Sequence, residues 1–430
     1  MRALMKPARQ MRTGGEDEQK ARSCHRAHVG GRCDRTVRPA GESGVFVAGD
    51  GITPSGTGRL LQSTVVFIPA LLKLESNLRP ALVAKLPPRE AVRLYSWGQS
   101  KALKSLAAAV PAEYKVPVNL SVRRWGLNFQ LPLFNAAGVF KSGAGYSLAA
   151  RQGAGAFLAG TATGIARAGN VKDGIAHPFC PYPSSGAASN WLGLPNDGDE
   201  AIALRLEQQR LPGCPLGVSI ALSPDLEGSA QEERMLTGLR LFAARGADFI
   251  EMNESCPNTP QQEGNLRERL SVVSSRFLNS RRRGKPAVIV KFSNDTRVEQ
   301  VSQLIEMLIS LGFDGVNFGN SSTAYADLRP GIAAAEQPLY DYFTGTFGGG
   351  VTGRPLKAKS LALVTEAAGA VARLRPEQEF HIIRAGGVET AADVAASLAA
   401  GASLVQWYTG YFELFAKHGH DVYRAVAEEL

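Results

Sequence analysis

The sequence predicts an α/β fold, a (β/α)8 TIM barrel with an N-terminal helical extension. Three observations lead there. Eight short apolar runs recur beyond Pro117, segments of helical period separate them, and the 430 residues are 44% hydrophobic, enough for a large core. The runs are PLFNAA (132–137), AFLAG (156–160), LGVSIA (216–221), DFIEMN (248–253), AVIVKF (287–292), DGVNFG (314–319), HIIRAG (381–386) and SLVQWY (403–408). Nearly continuous apolar runs of this length read as parallel strands buried on both faces. Segments such as EERMLTGLRLFAARG, VEQVSQLIEMLISLG and TAADVAASLAAG supply the helices between them. A doubly wound open sheet is the alternative, disfavoured by the count of eight and by the lack of a GxGxxG after the first run.

Ahead of the barrel, assigned to residues 117–430, stand two other segments. Residues 1–60 are rich in Arg, Gly and Ser and show no period, so they read as disordered. A targeting peptide or a start assigned too far upstream are further readings of this stretch, which lacks the apolar core of a secretory signal. Residues 61–116 read as a helical extension broken at Leu86-Pro87-Pro88. Its second helix places Val92, Tyr95, Leu103 and Leu106 at near-helical spacing, as expected of a lid lying on the barrel. The net charge of +9 is unevenly spread. Residues 1–60 and 61–125 carry excesses of +5 and +7, whereas residues 126–430 carry −3, which argues against a nucleic-acid partner for the barrel. Five cysteines without a CxxC pair indicate neither a disulfide framework nor a zinc site, and fit a reducing compartment. The longest apolar run, Val65 to Leu72, is broken by Pro69 and falls short of the roughly 20 residues of a membrane span.

A barrel of this kind builds its site from the C-terminal ends of its strands. Strand one ends in Asn135 and is followed by Lys141, strand two by Thr161 and Thr163, strand four by Asn253, Ser255, Cys256 and Asn258. Strand five ends in Lys291, strand six runs into Asn320, Ser321 and Ser322, and strand seven opens into Gly386-Gly387. A set without Asp or Glu is poor for metal binding, and no metal is expected. It suits an anionic, amide-rich planar ligand. Gly386-Gly387 and Tyr408-Thr409-Gly410, after adjacent strands, place backbone N–H groups where such barrels bind phosphate; Gly353 in GGGVTGRPL lies in a third such loop. Any one of these alone would read as a plain turn. Cys256 at a strand's catalytic end is a candidate nucleophile or general base, against the plainer reading of a buried small hydrophobe. No His follows nearby to complete a Cys/His pair, which favours proton abstraction.

The motifs FNAAGVFK, NWLGLPN, IEMNESCPNTP, VIVKF, NFGNSST, GGGVTGRPL, IIRAGGV and AGASLVQWYTG occur in the order and spacing of dihydroorotate dehydrogenases, a resemblance covering residues 117 to about 415. The resemblance implies an FMN barrel that oxidises dihydroorotate to orotate in pyrimidine (UMP) synthesis. In it a base removes the C5 proton while hydride leaves C6 for flavin N5. Carried over by position, Cys256 is similar to the base, and Lys141, Asn190, Asn253, Asn258, Asn320 and Ser321 to the substrate-binding set. Ala137, Gly138, Lys141, Thr161, Asn253 and Lys291 resemble residues around the flavin ring. Gly353, Gly386, Gly387, Tyr408 and Thr409 resemble those that hold the FMN phosphate and ribityl chain. Lys291 would stabilise negative charge on reduced flavin; its plainer alternative is a lysine paired with an acid inside the barrel.

The cues to the electron acceptor conflict. Cys256 stands where the quinone-reducing class has Ser, and Ser219 where that class usually has Asn, yet residues 85–134 resemble that class's helical extension. Quinone, fumarate and NAD all stay open as acceptors, a homodimer is compatible with the resemblance, and the expected location is cytoplasmic, with peripheral contact at the inner face of a membrane through the N-terminal helices. Two other functions stand beside the main one: a related flavin barrel acting on another dihydropyrimidine, and a non-catalytic flavin-binding scaffold. The lack of a cysteine cluster for iron–sulfur domains weighs against a free-base dehydrogenase.

Overall fold

The computed structural model describes residues 57–254, 266–281 and 285–430. The segment expected to be disordered therefore lies outside the described residues, apart from the start of α1 (Thr57–Lys85), which begins ahead of the boundary at 61. Leu86 and Pro87 interrupt the helical run, because a residue preceding proline is driven out of the α region, and α2 (Pro88–Ala107) restarts with proline in its first turn. The apolar face of α2 buries Ala91, Val92, Tyr95 and Leu106, while Leu103 is half-buried. Ser96 fixes this helix to the body by accepting a 2.9 Å hydrogen bond from the Phe179 amide.

Each of the eight apolar runs contains a strand. They are β1 (Leu133–Asn135), β2 (Phe157–Ala162), β3 (Leu216–Ile220), β4 (Phe249–Asn253), β5 (Ala287–Phe292), β6 (Gly315–Phe318), β7 (His381–Arg384) and β8 (Leu404–Trp407). All neighbours pair in parallel, in the order β1-β8-β7-β6-β5-β4-β3-β2, and helices cover the outside. Continuous ladder pairing fails only at the seam between β1 and β2, and there a side chain substitutes for backbone. Asn135 Nδ2 donates to the Leu158 carbonyl at 2.7 Å and its Oδ1 accepts from the Leu158 amide at 3.3 Å. The Gly155 amide also donates to Leu133, and the Gly138 amide to Gly160. Asn135, singled out by its place at a strand end, therefore closes the barrel instead of facing a ligand. Thr163 is likewise structural, accepting from Asn196 Nδ2 at 2.8 Å.

The hairpin Val122–Arg124/Leu127–Phe129 plugs the N-terminal mouth. Its Trp125 indole donates to the Asp314 carbonyl and its ring stacks on Phe249, 6.1 Å between centroids. Phe134, Leu158, Ile289, Ile383 and Leu404 fill the interior above it. At the other end, the long loop after β2 folds into a hairpin (Val171–Lys172, Ile175–Ala176) and then joins Phe179–Tyr182 and Ala187–Asn190 to Gly350–Gly353 in a small antiparallel sheet. This excursion brings Asn190 and Gly353 to the catalytic end of the barrel. Among the described residues no helix is long and apolar enough to cross a membrane.

The seam gives a stability prediction. Asn135→Leu keeps the branched shape but strands the buried Leu158 amide and carbonyl, so it should cost about 1–3 kcal/mol, read as a lower urea midpoint with an unchanged slope. A midpoint equal to the parent's would show that Asn135 does not carry the closure.

Candidate active site

A cleft of about 1010 Å³, part of it open to solvent, lies at the C-terminal ends of the strands. The turn after β1 contributes Ala137, Gly138 and Lys141; β2, β4 and β5 contribute Thr161, Asn253 and Lys291. Asn320 and Ser321 follow β6, Gly386 and Gly387 follow β7, Tyr408 and Thr409 follow β8, and the antiparallel sheet adds Asn190 and Gly353. The fold thus gathers in one cavity all the described residues to which the resemblance gives a substrate or flavin role, but not Asn135, Thr163 or Ser322, which the strand-end rule also singled out. Cys256 and Asn258 lie outside the described residues.

Hydrogen bonds organise the rim. Asn320 Nδ2 donates to Asn253 Oδ1 at 3.0 Å, Asn253 Nδ2 donates to Thr161 Oγ1 at 3.3 Å, and Thr161 shares a 3.1 Å hydrogen bond with Ser219. Ser219, on β3, is thereby tied to the wall of the cleft. Asn190 Nδ2 donates to the Gly350 carbonyl at 3.2 Å, which anchors it to the neighbouring strand. The Lys141 side chain keeps part of its surface open to the cleft, but protein encloses the rest and no carboxylate among the described residues pairs with it. Burial lowers its pKa to about 8.

Lys291 is paired with an acid inside the barrel and also borders the cleft. Its ammonium lies 3.4 Å from Glu251 Oε1 and 3.4 Å from Gln406 Oε1. Glu251 Oε2 accepts from Asn317 Nδ2 and from Gln406 Nε2, each at 2.8 Å. Asn317 also donates to Gln406 Oε1 at 2.9 Å. These residues form a buried polar layer between the apolar filling of the barrel and the cleft. Sequence reading missed Glu251, Asn317 and Gln406. Asn317 and Gln406 are each the one polar residue of an apolar strand and Glu251 shares β4 with Asn253, but that they meet follows only from the register, in which β4, β5 and β6 pair at Glu251, Ile289 and Gly315 with Asn317 beside Lys291.

At the far end the backbone makes an anion cradle. Gly386 and Gly387 hold φ of 99° and 74°, and a Cβ on Gly387 would lie 2.7 Å from the Lys357 backbone. The helix Thr409–His418 opens into the cleft without a side-chain N-cap, which suits a phosphate at its positive end. Beneath the cradle, fully buried Arg384 donates to the Lys357 carbonyl and to Ser360 and Ser397, and Ser360 donates in turn to the Gly386 carbonyl. The helical extension reaches the same region. Gln99 of α2 donates to the Tyr408 hydroxyl at 3.1 Å, and burial pushes the Tyr408 phenol up to about 12. Leu192, Leu194 and Pro195, within NWLGLPN, supply the apolar wall. Amide, hydroxyl and ammonium groups at one end and a glycine-lined helix N-terminus at the other fit a planar heterocycle with a phosphorylated tail. Among the described residues no cluster of His, Cys, Asp or Glu could hold a metal ion.

Residues 119–430 match the family model described as dihydroorotate dehydrogenase. This chain belongs to the dihydroorotate dehydrogenase family. It is similar to the dihydroorotate dehydrogenase (quinone) of Arthrobacter sp. (strain FB24), 31% identical over 338 residues, which span 75% of this chain and 87% of the relative. The dihydroorotate dehydrogenase (quinone) of Kineococcus radiotolerans is 32% identical over 301 residues, 68% of this chain and 77% of the relative. Among solved structures, that of Eimeria tenella dihydroorotate dehydrogenase in complex with ferulenol superposes with a TM-score of 0.64 at 25% identity, covering 77% of this chain and 89% of the other. As a dihydroorotate dehydrogenase family member the chain is an oxidoreductase and a flavoprotein of pyrimidine biosynthesis.

The glycine cradle can be tested without ligand. Gly387→Ala forces a left-handed conformation on a residue with a Cβ and should destabilise the fold by about 1–3 kcal/mol, measured by urea unfolding. Gly246→Ala, at a similar φ of 85° but with open space around the new Cβ, should cost less.

Proposed function

We propose that this chain oxidises dihydroorotate to orotate with bound FMN and passes the electrons to a quinone. The observation that carries the reading is the single cleft that joins the Lys141/Asn190/Asn253/Asn320/Ser321 group to the Gly386-Gly387 and Thr409 cradle. In this reading the Lys141 ammonium holds the substrate carboxylate, and the amides of Asn190, Asn253, Asn258 and Asn320 match the ring's alternating N–H and C=O groups. Ser321 adds a hydroxyl to the same set. Ala137, Gly138 and Thr161 contact the flavin ring, Lys291 faces its electron-rich edge, and Gly353, Gly386, Gly387, Tyr408 and Thr409 take the ribityl phosphate. Bound FMN supplies the acceptor for the hydride leaving C6.

Cys256 is assigned the proton at C5. Its thiolate accepts that proton as the C–H bond electrons become the new C5=C6 double bond, and the thiol then releases it to solvent. The two cysteines among the described residues are unsuited to this work: Cys180 and Cys214 are buried, and burial raises both thiols, Cys214 to about 12.

The choice of quinone is supported by the names of the relatives and by the extension, residues 61–116 in our division, which meets the cleft through Gln99 and Tyr408. Leu71, Leu74 and Leu78 on α1 and Leu94 and Trp97 on α2 are exposed, beside Lys73, Arg93 and Lys101. Such a face suits peripheral attachment to an anionic lipid surface, the location we assign. The second reading, a soluble acceptor such as fumarate or NAD, draws on Cys256 and on Ser219, which stand where the quinone class usually has Ser and Asn.

Dihydroorotate added to the purified protein without oxygen should bleach the flavin band, and a quinone analogue should restore it faster than fumarate or NAD. A band that persists would contradict the substrate, and faster recovery with fumarate or NAD would contradict the acceptor. Cys256→Ala should nearly abolish bleaching at neutral pH, and bleaching at the parental rate would place the base elsewhere. Lys141 gives a pH prediction. Its ammonium is charged below about pH 8, so orotate should bind the oxidised protein most tightly there and more weakly as pH rises. Lys141→Met should weaken binding at pH 7 by about tenfold or more, the worth of a hydrogen bond to a charged group, and flatten the profile. A parental profile in the variant would remove Lys141 from the carboxylate.

A further inference from the structure

The polar layer inside the barrel holds a buried charge pair. A carboxylate with no exposed surface, Glu251, sits on β4 two residues before Asn253, and its neighbours are the Lys291 ammonium and two side-chain amides. Burying this group costs free energy that an apolar side chain at the same position would avoid, so stability alone gives little reason for it. Lys291 is the member of the layer that also borders the cleft. Among the described residues its ammonium lies at equal distance from the Glu251 carboxylate and the Gln406 amide oxygen, each 3.4 Å away. Neither contact is short. The positive charge that Lys291 presents to the cleft is therefore reduced by a fixed negative charge behind it, and the amide groups of Asn317 and Gln406 hold that charge in place from β6 and β8.

We propose that Glu251 is a positioning residue that sets the reduction potential of the flavin by controlling how much of the Lys291 charge reaches it. The inference rests on the reading that FMN occupies the cleft with its electron-rich edge toward Lys291. A negative charge near the ring disfavours the electron-rich reduced form, so Glu251 lowers the midpoint potential; Asn317 and Gln406 moderate the effect by donating to the carboxylate. This tuning concerns the free energy of electron transfer and involves no contact between Glu251 and substrate.

The test is a comparison of midpoint potentials, by dye equilibration, of the FMN-loaded parent, Glu251→Gln and Glu251→Asp. Glu251→Gln keeps the shape and removes the charge. It should shift the potential to more positive values and tighten sulfite, a probe of positive charge beside the flavin, by about tenfold, as expected for one charge lost at close range within protein. Glu251→Asp keeps the charge and should stay near the parent, which a purely structural role would not predict. Should Glu251→Gln fail to fold, Gln406→Leu, which removes the amide that draws the ammonium away from Glu251, should move the potential the other way. Variants that bind FMN with the parental potential and sulfite affinity overturn the inference and leave the FMN reading standing. A parent protein that takes up no FMN overturns both.

Discussion

Lys291, at the floor of the cleft, keeps its ammonium against polar and charged groups of the barrel interior. The layer behind it consists of Glu251, Asn317 and Gln406, contributed by three different barrel strands. That arrangement constrains the fold closely. The three side chains meet because the strands are parallel, in register and closed into a barrel, and the barrel closes at its weakest seam through the Asn135 side chain. Below the layer the packing is apolar and aromatic; above it the surface is polar and open. The boundary between core and site is thus a hydrogen-bonded layer with a definite membership.

The two ends of the cleft work by different physics. At one end side-chain amides and a lysine whose pKa falls to about 8 offer directed hydrogen bonds and one adjustable charge. At the other, backbone N–H groups and a helix terminus offer fixed partial charges that need no ionisable group. A ligand with a carboxylate and a ligand with a phosphate can therefore be bound together without competing for the same donors. In the proposed reading a barrel with a −3 excess binds two anions through local donors and not through net charge.

Much of this was legible in the sequence because parallel strands buried on both faces leave uninterrupted apolar runs, and because the site residues sit where those runs stop. Lys141, Asn253, Lys291, Asn320 and the Gly386-Gly387 turn could all be read by that rule. The same rule misplaced Asn135 and Thr163, which also follow strand ends but turn inward to hold the barrel and the β2 loop together. Glu251, Asn317 and Gln406 were missed for a physical reason. A single polar residue in an apolar strand has no local partner, and its partners become visible only when the register is known. Gln99 is further still, since its contact with Tyr408 spans most of the chain. The hairpin after β2 carries no sequence signal because its strands, of two residues each, are too short to show a period.

The most direct measurement of the central claim, that this barrel is built to hold a flavin by its phosphate, is to release the chromophore from the purified protein and determine its mass and amount. The account predicts FMN at one per chain, with apoprotein that takes up FMN far more tightly than riboflavin. Protein that carries FAD, or that binds riboflavin as tightly as FMN, would contradict it.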